Sequence, residues 1–138
     1  MTSSHRILVV ERASNIRRVV SQLLGDEGFE VTAVESADAA VLLARTVKPA
    51  VILIELGSEV DLVSVRRLAG EAITHQLIAI APYGRAPLAV QALAAGASDY
   101  ILNPLSRDEL LVVVQKAVAQ FELAEELTEL RRERAGVR

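Results

Sequence analysis

Val51-Ile52-Leu53-Ile54-Glu55-Leu56 is the most apolar run of the chain, and a lone carboxylate stands near its end. An uninterrupted apolar run between Pro49 and Gly57 is what a strand buried on both faces requires, because a half-exposed strand would alternate. The same theme recurs on either side. Upstream, Ile7-Leu8-Val9-Val10 is a second short buried run. Ser14 is placed to cap a helix in which Ile16, Val19, Val20, Leu23 and Leu24 share one face and Arg17, Arg18 and Gln22 take the other, with Gly25 and Gly28 closing it. Residues 29–34 alternate and predict a strand with one more exposed face. Ser36 then precedes a helix over 37–47 that stops before Pro49.

Downstream, residues 57–59 read as a turn leading into a third helix over about 61–72. Residues 77–81 form a fourth apolar run, broken by Pro82-Tyr83-Gly84. Pro87 suits the first position of a fourth helix that ends at Gly96. Residues 98–102 predict a short fifth strand, followed by Asn103-Pro104 and a helix whose start carries a Ser106–Glu109 capping box. Five strand–helix units in succession predict an α/β domain: a five-stranded parallel sheet covered by helices on both faces, with right-handed crossovers.

Composition narrows the chemistry. The chain has 138 residues, 51% of them hydrophobic but 3% aromatic, no cysteine and a formal charge of −3. This is one domain with an aliphatic core. The absence of cysteine removes disulfides, thiol nucleophiles and cysteine-ligated metals. Two histidines, His5 and His75, leave little for a histidine-rich metal site and read as surface or loop residues. The mild acidity argues against nucleic-acid binding, so Arg17-Arg18 and Arg66-Arg67 read as solvated helix faces. No run is long enough to cross a bilayer or to form a signal peptide, and a cytoplasmic protein is expected. In an open α/β sheet ligands bind beyond the carboxyl ends of the strands. The residues to inspect there are Glu11, Arg12, Glu55, Ala81 and Asn103.

Over about residues 5–120 the chain resembles the receiver domain of bacterial two-component response regulators. The resemblance is carried by residues 7–10, by residues 51–56 preceded by Lys48-Pro49, and by residues 96–110, which match that family's fifth-strand signature and its Asn103-Pro104 peptide, where a cis bond is usual. It implies a flavodoxin-like fold and phosphoryl transfer to an aspartate at the end of the third strand. In that chemistry a divalent metal is held by an acidic pair after the first strand, a Ser or Thr follows the fourth, and a Lys precedes the fifth-strand proline. At those positions this chain has Glu55 for the phosphoacceptor, Glu11-Arg12 for the acidic pair, Ala81 for the hydroxyl and Asn103 for the lysine; Tyr100 matches the family's aromatic switch position.

Each departure has a physical cost. Glutamate places its carboxylate about one methylene further out, which spoils in-line geometry. Arg12 replaces a metal ligand with a positive charge, so magnesium is not expected. Ala81 offers no side-chain hydrogen bond, and Asn103 removes a cation that would stabilise developing charge. The expectation is a degenerate pseudo-receiver, with no enzymatic activity and no cofactor, that serves as a phosphorylation-independent protein-interaction module in bacterial signalling. Two alternatives stand beside it: a receiver that still accepts a phosphoryl group from a histidine kinase, and a small-ligand-binding domain. Glu55 either imitates the phosphorylated state, ion-paired with Arg12, or is a partly solvated carboxylate at a strand end. Glu11 and Glu55 together make at most a residual weak metal site. With Ala81 small, Tyr100 is expected to be a fixed, buried ring.

The aliphatic surplus supplies surfaces. Residues 87–95 contain Gln91 as their only polar side chain, so the fourth helix is predicted to expose apolar residues for association, with Leu88, Gln91, Ala92 and Ala95 at the interface. The last helix continues past the domain (residues 1–120) as an extension over 121–138 for dimerisation or linkage. Phe121, Leu123, Ala124, Leu127 and Leu130 extend an apolar stripe there, flanked by glutamates and followed by Arg131, Arg132 and Arg134. Partners are predicted to be a signalling protein and a second copy, through helix 4, strand 5 and helix 5, with no nucleic acid and no membrane.

Overall fold

A computed structural model describes residues 5–71, 75–103 and 106–136. Their order is β1 Arg6–Val10, α1 Ser14–Asp26, β2 Glu30–Val34, α2 Ala37–Val47, β3 Val51–Glu55, a 3-10 turn Glu59–Asp61 running into α3 Leu62–Ala69, β4 Gln76–Ala81, α4 Ala86–Ala94, β5 Asp99–Leu102 and α5 Arg107–Gly136. The five strands are parallel in the order β2-β1-β3-β4-β5. This is the flavodoxin-like sheet expected from the alternation of elements.

β3 lies at the centre and explains why its sequence has no polar alternation. Ile52 and Ile54 enter a core with Val41 and Ala44 of α2, Val65 and Leu68 of α3, and Leu88 of α4. Val51 and Leu53 enter the opposite core, with Val20 and Leu24 of α1 and Leu110, Val114 and Ala117 of α5. Each fully buried side chain of this size stabilises the fold by ~1.5–3 kcal/mol. β2 is an edge strand, and its residues are only partly buried.

Local signals were fulfilled unevenly. The Ser36 hydroxyl accepts from the Ala39 amide at 3.2 Å and caps α2, whose last turn ends with Lys48 in the left-handed region before Pro49. The Ser106 hydroxyl accepts from the Glu109 amide at 3.0 Å at the start of α5. Ser14, in contrast, is the first helical residue; Ala13 is the N-cap of α1, because the Glu11 carboxylate takes the Ala13 amide at 2.9 Å. α3 begins one residue later than predicted and ends at Ala69, and the predicted end at Ala72 lies outside the described residues. Pro87 is the second residue of α4, which ends at Ala94, before Gly96. The Asn103-Pro104 peptide also falls outside the described residues.

α4 is rotated from its predicted phase. Leu88 and Ala92 are wholly buried and Ala95 packs partly against the core, so of the four residues assigned to an interface only Gln91 faces solvent. The exposed apolar side is Val90, at 60%, and Leu93. An alanine-rich helix has little contrast between faces, and the sheet took the side where a leucine and an alanine fill the groove over β4. α5 continues through residue 120 without a break, and at 1.5 Å per residue spans about 45 Å. Phe121 still packs on the core side, whereas Leu123, Leu127 and Leu130 are exposed.

Gly96 has φ +121°, and a β-carbon there would lie 2.6 Å from that of Ala69. Gly84 shares the positive φ, at +87°, but faces open space. Gly96→Ala is therefore expected to lower the urea-unfolding free energy by about 2–3 kcal/mol, and Gly84→Ala by about 1 kcal/mol. Equal losses would show that close approach of α3 does not matter at Gly96.

Candidate functional site

Pairing in register places the site. Val10 lies beside Ile54 and Glu55 beside Ile80, so the residues following β1 and ending β3 meet at one rim of the sheet. Ala81 pairs with Leu102, and the Asn103 amide donates to the Ala81 carbonyl at 2.8 Å, which brings Asn103 to the same rim. Glu11, Arg12, Glu55, Ala81 and Asn103 thus converge at the carboxyl ends of β1, β3, β4 and β5. This is where the strand order reverses, the ordinary ligand position in such sheets.

Glu55 is half-buried. Its Oε2 accepts from the Asn103 side-chain amide at 3.3 Å. Burial, then a hydrogen bond to Glu11 and repulsion from its charge, push the Glu55 carboxyl up to about 7, against the opposing influence of Asn103 and Arg12. Glu11 is only 5% exposed. The raised value means that Glu55 keeps its proton to a higher pH than an exposed glutamate does.

Arg12 does not pair with Glu55 as expected of a built-in mimic. Its Nη2 donates to Asp61 Oδ1 at 2.5 Å. Asp61, 6% exposed, also accepts the amides of Gly57 at 2.7 Å and Ser58 at 3.3 Å through Oδ2. The Arg17 guanidinium donates to the carbonyls of Glu11 at 2.7 Å and Arg12 at 2.9 Å. Arg17 therefore belongs to the loop architecture as well as to a helix face. Asp61 was not among the sequence candidates. Its signal was the Ser58-Glu59-Val60-Asp61 spacing, in which the acid of a first helical turn reaches back to the residue that opens it.

Tyr100 departs from its expected burial. It is 39% exposed on the edge strand β5. Its neighbour in register is Ala79, which is buried in the core that includes Leu88 and Ala92 of α4. His5 is not a free surface residue: its Nε2 lies 3.1 Å from the Glu122 carboxylate, and its ring meets Phe121 edge-on. Arg67 of α3 pairs with Asp38 of α2.

The arrangement is poorly suited to the divalent metal that the resemblance implies. The cleft bounded by Glu11, Arg12, Glu55 and Asp61 has a volume of about 30 Å³, room for a water or two. One of its acids is already committed to a guanidinium. Magnesium needs several oxygen ligands around it, and the Arg12 guanidinium, a cation bonded to Asp61, occupies part of that shell. Among the described residues no three His, Asp or Glu side chains come together as a ligand cluster. A protonated Glu55 is also a weak nucleophile.

A raised Glu55 carboxyl fixes the sign of a pH effect. The folded state keeps a proton that the unfolded chain releases near 4.5, so stability falls as pH rises from about 4.5 to about 7. Glu55→Gln removes this dependence. Its melting temperature relative to wild type should be higher at pH 8 than at pH 5, measured by circular dichroism. An equal difference at both pH values would refute the raised Glu55 carboxyl.

Comparison with known proteins agrees with this geometry. Residues 7–115 match the family model described as the response regulator receiver domain. The regulatory protein AtoC of Escherichia coli is 30% identical over 132 residues, which are 94% of this chain and 29% of AtoC. The alginate biosynthesis transcriptional regulatory protein AlgB of Pseudomonas putida is 32% identical over 127 residues, 91% of this chain and 28% of AlgB. The crystal structure of NtrX from Brucella abortus in complex with ADP superimposes with a TM-score of 0.86 at 28% identity, covering 99% of this chain and 31% of NtrX. The receiver domain of that NtrX alone gives 0.74 at 29% identity, covering 82% of this chain and 98% of the domain. The chain thus spans less than a third of the length of these full-length relatives. It belongs to the response regulator receiver domain family.

Proposed function

We propose that this receiver works without an acyl phosphate, as a phosphorylation-independent interaction module in bacterial signal transduction. The observation that carries the reading is the Arg12–Asp61 bond, at 2.5 Å, in the cleft that phosphoryl chemistry would need for a metal. A resident guanidinium neutralises part of the acidic cleft and ties the loop after β1 to the loop after β3. The other supports are the missing hydroxyl at Ala81, the neutral amide at Asn103 and a Glu55 carboxyl raised to about 7 by burial and by Glu11.

Phosphoryl acceptance is the competing reading, and it is directly testable. After incubation with acetyl phosphate and magnesium, the intact mass of the chain is expected to remain unchanged. A gain of one phosphoryl group that is lost on Glu55→Gln would replace the proposal with a working phosphoacceptor.

The same reading assigns function to surfaces. Val90 and Leu93 on α4, Tyr100 on β5, and Val112, Leu123, Leu127 and Leu130 on α5 are exposed apolar residues on three consecutive elements. Lys116 of α5 lies 3.7 Å from Asp99 of β5 and joins two of those elements at the surface. The partners proposed are a second copy of this chain, through α4, β5 and α5, and a signalling protein recruited by the dimer. No nucleic-acid or membrane contact is assigned to this module, and no described helix is long and apolar enough to cross a membrane. Light scattering is expected to give twice the monomer mass. Truncation after Gln120, or Leu123→Glu with Leu127→Glu, should shift the population toward monomer. A monomer at high concentration for the intact chain would remove the dimer.

A further inference from the structure

α1 breaks the usual rule of a surface helix. Ile16 and Val19 belong to its apolar stripe, yet Val19 is 63% exposed and Ile16 is also in contact with solvent. Both side chains line an open groove of about 650 Å³, a size suited to a small organic ligand. The remaining walls are largely apolar, from Leu56 after β3 and from Pro82 and Tyr83 after β4. The polar side chains of the lining are Asn15, Glu55 and Asn103, the last two hydrogen-bonded to each other at 3.3 Å. Apolar walls with a few fixed polar groups are the ordinary composition of a small-molecule site.

The charges select the ligand. Glu55 is the one acid among the described residues that line the groove, and Glu11 lies behind it in the adjoining small cleft. The two nearby guanidinium groups are engaged elsewhere: Arg12 with Asp61 in the separate small cleft, and Arg17 with the carbonyls of Glu11 and Arg12. Among the described residues lining the groove there is no cation. A cationic donor placed at Glu55 therefore gains a charge-assisted hydrogen bond that no resident cation competes for, a neutral group gains less, and an anion is repelled. An attached apolar body would cover Ile16 and Val19 and remove them from water.

We propose that this groove binds a small amphipathic amine, an apolar body carrying one primary ammonium, with Glu55 receiving the ammonium and Ile16, Val19 and Tyr83 enclosing the body. The site uses none of the residues assigned to the dimer face.

The test uses the full chain, labelled with nitrogen-15, and three probes of similar shape and different charge. These are 2-phenylethylammonium, 2-phenylethanol and 3-phenylpropionate, each titrated at pH 7.5 and followed by amide chemical shifts. The expected result is saturable shifts at Ile16, Val19, Leu56 and Tyr83, with the ammonium bound about tenfold more tightly than the alcohol. The carboxylate should produce no saturable shift. Glu55→Gln should bring the ammonium and the alcohol to equal affinity. Val19→Lys, at an exposed helical position, should abolish binding of both while leaving the spectrum folded. Equal affinity for all three probes, no saturation at millimolar concentration, or an unchanged ammonium preference in Glu55→Gln would each overturn the proposal. So would shifts scattered over the acidic surface rather than confined to the groove. The comparison of three probes on wild type decides the matter even if a variant fails to fold.

Discussion

Everything at the functional rim follows from the parallel pairing of β1 with β3. Once Val10 is held beside Ile54 by the ladder, the residues that follow have no choice of neighbour. Glu11 and Glu55 are brought together by backbone hydrogen bonds and two-sided hydrophobic burial, which are far stronger in sum than the repulsion between two carboxylates. Burial of Glu55, then its hydrogen bond with Glu11 and the repulsion between the two, raises the Glu55 carboxyl as the consequence. The core dictates the geometry, and the titration behaviour is its result.

Around that pair the chain has built a wholly proteinaceous electrostatic network. Asp61 is buried, satisfied by two backbone amides and one guanidinium, and its removal from water is compensated by charge-assisted bonds. Arg17 completes the loop by holding two carbonyls. Among the described residues no buried side-chain polar atom is left without a partner.

The sequence made the scaffold legible because β3 and β1 are buried on both sides, so their apolar runs could mean little else. It also located Glu11, Glu55 and Asn103 at a common rim, since strand ends in a parallel sheet are aligned. What it could not supply was orientation in places where composition is uniform. α4 has one polar side chain, so nothing in its pattern distinguishes the side of Leu88 and Ala92 from that of Val90 and Leu93. Nor does the small size of Ala81 decide the burial of Tyr100, which lies on the edge strand β5 and is 39% exposed. The partner of Arg12 lies 49 positions away on a loop, and only the tertiary fold decides between two acids of similar distance along the rim.

The uninterrupted α5 has a mechanical meaning. Its last core-buried residue is Ala117, and the helix continues to Gly136. The overhang is about 28 Å at 1.5 Å per residue. A helix of this kind transmits rotation as a rigid rod, so a rocking of ~10° against the sheet would carry its far end by about 5 Å, close to one full helical pitch. Side-chain repacking at Leu110, Val114 or Ala117 that would be imperceptible within the core is thereby magnified to a displacement that changes which residues a neighbour meets. In this molecule the sheet is the fulcrum and the C-terminal helix is the lever.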